Sequence, residues 1–247
     1  MIITVSNQKG GTGKSTTAAA LATGAAFKGK KTLAIDLDPQ GNLTFIMGGN
    51  QADVGAYELI TGKMQPSQVI QHTAQGDIIA ASISLAGADT LLTGNNRIFA
   101  LREAIKPVLR NYDLIVIDTP PTLGTLLMNA LAASDRVIIP LQADILSLQG
   151  LYHLQQTIKK IQTDFNKRLG ISGILFTKHS GRTLIAREIV DTMTQKAAAM
   201  GIPVLKATIR EGVAVREAQT MRSSLFEYAP KSKPAKDYLQ LLEELKI

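Results

Sequence analysis

Residues 8–16 read Gln-Lys-Gly-Gly-Thr-Gly-Lys-Ser-Thr, and they follow directly on the apolar run Ile-Ile-Thr-Val at residues 2–5. A strand that ends in a glycine-rich turn and continues into a helix can bind phosphate, because backbone N–H groups and the positive helix end face the anion. The usual motif G-x-x-x-x-G-K-[ST] requires glycine first, whereas this chain has Gln8 there and an additional lysine, Lys9. The sequence therefore predicts a phosphate-binding loop (P-loop) of a variant kind.

The residue types of this loop indicate a nucleotide bound together with Mg²⁺. Lys14 would reach the β- and γ-phosphates, and the hydroxyl of Ser15 would coordinate the cation. Lys9 stands at the mouth of the loop, where it could reach the nucleotide of a neighbouring subunit. The residues predicted to bind the nucleotide are Lys9, Gly10, Gly11, Thr12, Gly13, Lys14, Ser15 and Thr16.

Two further segments place carboxylates at the ends of predicted strands. Residues 114–118, Leu-Ile-Val-Ile-Asp, have the apolar run and terminal aspartate of a Walker B strand, while residues 33–42 contain Asp36 and Asp38. Alternation along an extended segment puts Asp36 and Asp38 on the same side. We expect Asp38 to orient the attacking water and Asp36 to support the magnesium shell, although Asp36 could equally bind loop N–H groups. The predicted catalytic residues are Lys9, Lys14 and Asp38, and the predicted metal-associated residues are Ser15, Asp36 and Asp118.

The composition excludes several kinds of site. The 247 residues include no cysteine, which excludes disulfides, iron–sulfur clusters and thiolate zinc sites. No apolar run is long enough to span a membrane, and the chain starts with a predicted strand, so we expect a cytoplasmic protein without a signal peptide. The guanine-reading pattern Asn-Lys-x-Asp is absent, which favours ATP as the nucleotide.

The net charge of +7 lies wholly in the C-terminal part of the chain. Residues 1–150 contain 11 Lys and Arg against 11 Asp and Glu, whereas residues 151–247 contain 16 against 9. This asymmetry is typical of a surface for nucleic acid or anionic lipid, and a solvated basic face is the alternative that charge alone leaves open.

Short apolar runs alternate with helical stretches along the chain. Strands are predicted at residues 2–6, 32–37, 77–81, 114–118, 136–141, 171–176 and 203–206, and helices at residues 14–28, 97–110, 123–133, 145–167, 184–200 and 235–245. Apolar strands separated by helices predict one α/β domain over residues 1–247, with a mostly parallel, twisted sheet flanked by helices on both faces. Residues 48–93 have the least regular pattern.

Several motifs together resemble the ParA/Soj family of DNA-partition ATPases, which belongs to the MinD/ParA superfamily with its deviant Walker A loop. They are residues 9–15, the run Asp-Leu-Asp-Pro-Gln-Gly-Asn at 36–42, Asp-Thr-Pro-Pro at 118–121 with Asn-Ala-Leu at 129–131, and the stretch 138–151. The resemblance extends from residue 1 to about residue 228 and is to the short form without a helix-turn-helix. The chain departs from the family's Ile-Pro-Arg and Ser-Glu-Ala-Pro segments, with Thr-Ile-Arg-Glu at 208–211 and Val-Arg-Glu-Ala-Gln at 215–219.

The resemblance implies a plasmid- or chromosome-partition ATPase associated with the nucleoid. ATP with Mg²⁺ would close two subunits into a homodimer, with Lys9 of each subunit reaching the nucleotide of the other, and Gly11 would permit their close approach. The dimer would bind double-stranded DNA without sequence preference, and a ParB-type partner would stimulate an otherwise slow hydrolysis that releases it. The residues we favour for the DNA-facing surface are Lys178, Arg182, Arg187, Arg210, Arg216 and Arg222.

Three other functions fit parts of the pattern. A MinD-like positioning ATPase would bind membrane through a C-terminal amphipathic helix, but the adjacent Glu243 and Glu244 would be repelled by anionic lipid. A non-enzymatic nucleotide switch is disfavoured because the expected catalytic residues are intact. A ParA-like positioner of protein cargo remains open, because the choice of cargo resides in a partner.

Overall fold

The computed structural model describes residues 1–51, 54–88, 92, 97–144, 147–179 and 184–247, with the backbone alone for residues 184–187. The strands in these ranges are β1 (Ile2–Val5), β2 (Thr32–Asp36), β3 (Ile70–Thr73), β4 (Gly76–Ile79), β5 (Leu114–Asp118), β6 (Arg136–Leu141), β7 (Gly170–His179) and β8 (Val204–Arg210). The α-helices are α1 (Lys14–Phe27), α2 (Asn42–Ile46), α3 (Ala56–Ile60), α4 (Pro66–Val69), α5 (Ala100–Ile105), α6 (Thr125–Ala133), α7 (Ser147–Asp164), α8 (Leu184–Ala199), α9 (Val213–Thr220), α10 (Leu225–Tyr228) and α11 (Lys233–Glu244). Short 3₁₀ helices lie at Ile83–Gly87, Arg97–Phe99 and Lys106–Asn111.

The strands form one sheet in the order β3-β4-β2-β5-β1-β6-β7-β8. All neighbouring strands are parallel except β3 and β4, which form an antiparallel hairpin at one edge. The central strand β1 lies between β5 and β6, so the chain reverses its direction of strand addition there. Ligands of such sheets bind beyond the carboxyl ends of the strands at this reversal. The predicted α/β fold is confirmed, and its topology directs attention to the loops that follow β1, β2 and β5.

Helices cover the sheet on both faces. On one face, α1 packs against α10 and α11, with Phe226, Tyr238 and Leu242 in a common core with the sheet. The contact is close at Gly24 of α1, where an added Cβ would lie 2.6 Å from Leu242 Cδ1. The other face is covered by two apolar clusters, one including residues of α3, α5 and α6 and the other residues of α7 and α8. Helix α1, which begins at the P-loop, is thus held firmly against the sheet.

Some predicted elements differ from the structure. The single helix predicted at residues 97–110 is wrong, since α5 there is flanked by 3₁₀ helices. Pro107 lies in the second of these, and it lacks the N–H that an α-helix would need. The hairpin strand β3 was not predicted, because its sequence Ile-Gln-His-Thr has no apolar run. Residues 145–146, where the predicted helix 145–167 begins, lie outside the described residues.

At both edge strands of the sheet, side chains form hydrogen bonds with the backbone. At β8, the carboxylate of Glu244 accepts from the N–H groups of Lys206 at 2.8 Å and Ala207 at 2.9 Å. At β3, the Gln71 side chain accepts from Asn50 N at 2.8 Å and donates to Asn50 O at 2.9 Å. These bonds tie α11 and the segment after α2 to the two edge strands.

Candidate nucleotide-binding site

The predicted P-loop connects β1 to α1 at the carboxyl edge of the sheet. Gly11 has φ +74° and Gly13 has φ +84°, a left-handed conformation that residues with a Cβ adopt only with strain. Gly13 precedes the first residue of α1, and its carbonyl accepts from Thr17 N at 2.9 Å. The glycines therefore shape a turn that leads directly into a helix N-terminus.

Two side chains from neighbouring strands hold the loop in place. Thr177 of β7 donates through Oγ1 to Thr12 O at 2.8 Å, and Gln142 after β6 donates through Nε2 to Gly11 O at 3.1 Å. Because these two loop carbonyls are hydrogen-bonded by the protein itself, the loop conformation does not depend on a bound ligand. Sequence reasoning missed both side chains, because each lies more than a hundred residues from its partner.

The predicted Walker B aspartate has one carboxylate oxygen bonded and one free. Asp118 Oδ1 accepts from Thr119 N at 3.1 Å, whereas Oδ2 is buried and has no hydrogen-bond partner among the described residues. Burial, reinforced by the charge of Asp36, raises the pKa of Asp118 well above its usual value, although the Ser15 hydroxyl and Lys14 oppose the shift. A buried, unsatisfied carboxylate oxygen near Ser15 fits a cation, because Mg²⁺ commonly takes one or two carboxylates together with phosphate oxygens and water.

Asp36 lies beside Asp118 in the strand register, but both of its oxygens are engaged by its own loop. Oδ1 accepts from Asp38 N at 3.1 Å, and Oδ2 accepts from Thr44 N at 2.7 Å and Thr44 Oγ1 at 2.8 Å. Burial raises the pKa of Asp36 to about 6, against the lowering effect of these hydrogen bonds. This geometry favours the structural role that the sequence left open for Asp36.

Asp38, in the loop after β2, and Lys14, at the start of α1, both line one cavity. Asp38 is 6% exposed, and its Oδ1 accepts from Gln40 N at 3.0 Å. Burial lowers the pKa of Lys14, and the carboxylates of Asp118 and Asp38 oppose that shift. A buried lysine flanked by two acids is suited to exchange part of this pairing for phosphate oxygens.

The cavity has a volume of about 770 Å³, within the range of small-molecule sites. One part of it is lined by the P-loop and Asp38. The other part is lined by Lys178 and by residues 209–212, 215–216 and 219–220. Gln219 joins these two parts, because its Nε2 donates to Thr16 Oγ1 at 2.8 Å. The cavity is therefore bounded by the phosphate-binding loop and by α9.

The additional lysine of the loop has an acidic partner in its own chain. Lys9 Nζ lies 2.7 Å from Asp144 Oδ2, and both side chains are about one-third exposed, at 39% and 33%. Burial acts to raise the pKa of Asp144, but hydrogen bonds from Lys9 and Ser147 outweigh it and leave the pKa below its usual value. The lining of the cavity includes Lys14 but not Lys9 in the described part of the chain.

The predicted DNA-facing residues have different surroundings. The guanidinium of Arg210 forms an ion pair with Asp237, whose side chain is 5% exposed, and Arg210 N also donates to that carboxylate at 3.0 Å. Lys178 and Arg216 are exposed and lie at the cavity. Arg210 thus has a charge partner already, while Lys178 and Arg216 lie where the cavity meets solvent.

Of the remaining basic residues, only Arg222 has a described side chain. Its guanidinium lies 4.4 Å from the centroid of the Phe45 ring, as a cation–π contact. Arg182 lies outside the described residues, and for Arg187 the structure describes the backbone alone. The DNA-facing role of all six residues stays a prediction.

The described residues hold neither a ready-made group of metal ligands nor a membrane-spanning helix. Within residues 1–51, 54–88, 92, 97–144, 147–179 and 184–247, no group of three or more His, Asp or Glu side chains is placed to hold a metal ion. In the same ranges no helix is both long enough and apolar enough to cross a membrane.

The fold and the loop after β1 define a P-loop nucleoside triphosphatase of the MinD/ParA superfamily. Residues 1–171 match the family model described as an AAA domain. The chain is 38% identical to the chromosome-partitioning ATPase Soj of Thermus thermophilus, over 98% of this chain and 94% of that protein. It is 37% identical to the sporulation initiation inhibitor protein Soj of Bacillus subtilis, over 99% of this chain and 97% of that protein.

A solved structure of a related protein has the same fold. Cobyrinic acid a,c-diamide synthase from Mycobacterium smegmatis, with bound ADP and magnesium, superposes with a TM-score of 0.86 at 32% identity, covering 99% of this chain and 95% of that one. The Soj relatives show that the chain belongs to the Soj/ParA family of partition ATPases. With the nucleotide-bound structure, they support a P-loop enzyme that hydrolyses nucleotide. The resemblance inferred from the motifs is confirmed.

Proposed function

We propose that this protein uses ATP and Mg²⁺ to form a homodimer that binds DNA without sequence preference and partitions a plasmid or chromosome. One observation supports the dimer. Among the described residues that line the cavity Lys9 is missing, and its ammonium group is paired with Asp144 instead. Because Lys9 does not face the nucleotide site of its own subunit, it is available to bind the nucleotide of a second subunit. In the proposed dimer, Lys9 exchanges the Asp144 carboxylate for the phosphates of the nucleotide in the partner subunit.

Within one subunit, each buried group has a distinct task in hydrolysis. Lys14 binds the β- and γ-phosphates, and Asp38 accepts a hydrogen bond from the attacking water and orients it. Ser15 and Asp118 are the residues that would hold Mg²⁺ beside the phosphates, where the ion would supply neutralisation of their charge. The ADP and magnesium bound to the Mycobacterium smegmatis protein support this pairing of nucleotide and cation. Because Lys9 comes from the other subunit, turnover without a dimer is slow, and a ParB-type partner accelerates it.

The basic excess in residues 151–247 supports DNA as the polyanion that the dimer binds. A membrane-bound alternative would require a free amphipathic C-terminal helix. In α11, however, Tyr238, Leu241 and Leu242 are buried in the core that contains α1. The apolar face of α11 is therefore committed to the fold, which favours DNA over lipid and a nucleoid-associated, cytoplasmic protein.

Binding to non-specific duplex DNA, measured with ATP, ADP and no nucleotide at several salt concentrations, tests this proposal. We expect salt-sensitive binding with ATP only. The variant Arg216→Gln/Arg222→Gln should weaken binding and reduce the slope of log K against log salt by about 0.9 per lost phosphate contact. A matched control, Lys159→Gln/Lys160→Gln on exposed positions of α7, removes the same charge elsewhere and should change the slope less.

The outcomes separate the parts of the proposal. An unchanged slope in the Arg216→Gln/Arg222→Gln variant, with intact ATP binding, would remove these two residues from the DNA-facing surface. A complete lack of DNA binding in all nucleotide states would overturn DNA partition and favour a ParA-like positioner of protein cargo.

A further inference from the structure

One hydrogen bond connects α9 to the P-loop across 203 residues of sequence. Gln219, near the end of α9, donates from Nε2 to Thr16 Oγ1 at 2.8 Å. Both residues are half-buried and line the cavity. Gln219 occupies the last position of the segment at 215–219, where the chain departs from Ser-Glu-Ala-Pro. A proline at that position would have no side-chain donor and could not form this bond.

The bond determines how the hydroxyl of Thr16 is used. A threonine hydroxyl has one proton to donate and two lone pairs that accept. Since Thr16 Oγ1 accepts from the Gln219 amide, its proton is left for a different acceptor. In the described part of the chain, Gln219 is the sole hydrogen-bond partner of this hydroxyl. Because Thr16 lines the cavity, a ligand bound there can supply the acceptor.

The position of Thr16 indicates which acceptor this is. Lys14 and Ser15 precede it and are assigned to the outer phosphates and the cation, while the loop backbone surrounds the α- and β-phosphates. Thr16 is one residue further into α1 and contacts α9 on the far wall. In a nucleotide bound in this order, the phosphate nearest the ribose would lie beside the Thr16 hydroxyl.

We propose that Gln219 is a positioning residue that directs the Thr16 hydroxyl to donate to the α-phosphate of the bound nucleotide. This inference rests on the proposed nucleotide-binding function. Because ATP and ADP share the α-phosphate, the contact stabilises both nucleotides equally. It retains the nucleotide through hydrolysis and does not distinguish the two states.

The affinities of the full-length protein for ATP and ADP, with Mg²⁺, test the proposal by isothermal titration in a double-mutant cycle. Gln219→Ala frees the hydroxyl to rotate and should weaken both nucleotides alike, by roughly threefold to tenfold, the range of one neutral hydrogen bond. Gln219→Glu can only accept, so it should turn the Thr16 proton away from phosphate and weaken both more than Gln219→Ala does. Glu217→Ala, at a neighbouring exposed position of α9, is the control and should bind both nucleotides normally.

The cycle is completed by Thr16→Val and by Thr16→Val/Gln219→Ala. If Gln219 acts through Thr16, Gln219→Ala should cause no further loss once the hydroxyl is gone. An equal loss in both backgrounds would overturn the inference, because it would mean that α9 acts independently of Thr16. Wild-type affinity in Gln219→Ala would overturn it as well. If the wild-type protein bound neither ATP nor ADP, the proposed function itself would fail, together with the inference.

Discussion

Replacing Gly24 of α1 by alanine should destabilise the protein, although alanine is the better helix former. In helix interiors alanine is favoured over glycine by about 0.5–1 kcal/mol. At Gly24, however, the new Cβ would lie 2.6 Å from Leu242 Cδ1 and 2.8 Å from Phe226 Cε2. Overpacking a well-filled core costs about 1–3 kcal/mol, so the net free energy of unfolding should fall by about 1 kcal/mol. That corresponds to a decrease in Tm of about 2–4 °C for a chain of this size.

The chain offers a matched control at Gly150 in α7, where the nearest described atoms to an added Cβ are those of Gln8, at 3.6 Å. Gly150→Ala should therefore raise the free energy of unfolding by about 0.5–1 kcal/mol, the opposite sign. Urea unfolding of both variants without nucleotide measures the difference, which we expect to be about 2 kcal/mol. If Gly24→Ala were as stable as the wild type or more so, the close packing of α1 against α10 and α11 would be refuted.

Three further changes test the site. Asp38→Ala should bind ATP, accumulate as a dimer on DNA and release phosphate on the order of 10²-fold more slowly, and normal turnover would exclude Asp38 from water positioning. Lys9→Ala should keep nucleotide binding by the monomer but lose dimer-dependent hydrolysis, whereas full activity would refute the role of Lys9 across the interface. Because burial raises the pKa of Asp36 to about 6, the folded protein keeps a proton that the unfolded chain loses near pH 4. Its stability without metal should fall by about 2 kcal/mol from this group as pH rises from 4 to 6, and urea titrations in EDTA should show a flatter profile for Asp36→Asn.

Local patterns in the sequence predicted most of the fold. The strand before the P-loop, the glycines within it and the helix after it are contiguous, so one short segment contains all the necessary information. The strand ending at Asp118 was predicted with its observed bounds, since four apolar residues and a terminal aspartate identify it. Elements with a half-exposed sequence, such as β3, have no comparable signal and were missed.

The contacts that complete the site could not be predicted, because they join distant residues. Asp144 is 135 residues from Lys9, and Gln219 is 203 residues from Thr16. Asp144 lies in the stretch 138–151 and Gln219 in the segment 215–219, but neither pattern indicates a contact with the P-loop. Only the packing of β6, β7 and α9 around the P-loop brings these residues close to it. For Asp36 the limit is different: its pattern allows both a metal-associated and a structural role, and the hydrogen bonds with Thr44, which favour the structural role, depend on side-chain geometry that the sequence does not give.

The side chains bonded at the two outer strands have a consequence for self-association. A strand with free N–H and C=O groups can template the addition of a strand from another molecule, which leads to aggregation. On β8, the Glu244 carboxylate already takes the N–H groups of Lys206 and Ala207, and an incoming strand would have to displace it. On the opposite side, β3 has only four residues, too few for a long intermolecular ladder. Neither edge strand therefore offers a long free ladder, so molecules of this protein can be concentrated together without their sheets joining edge to edge.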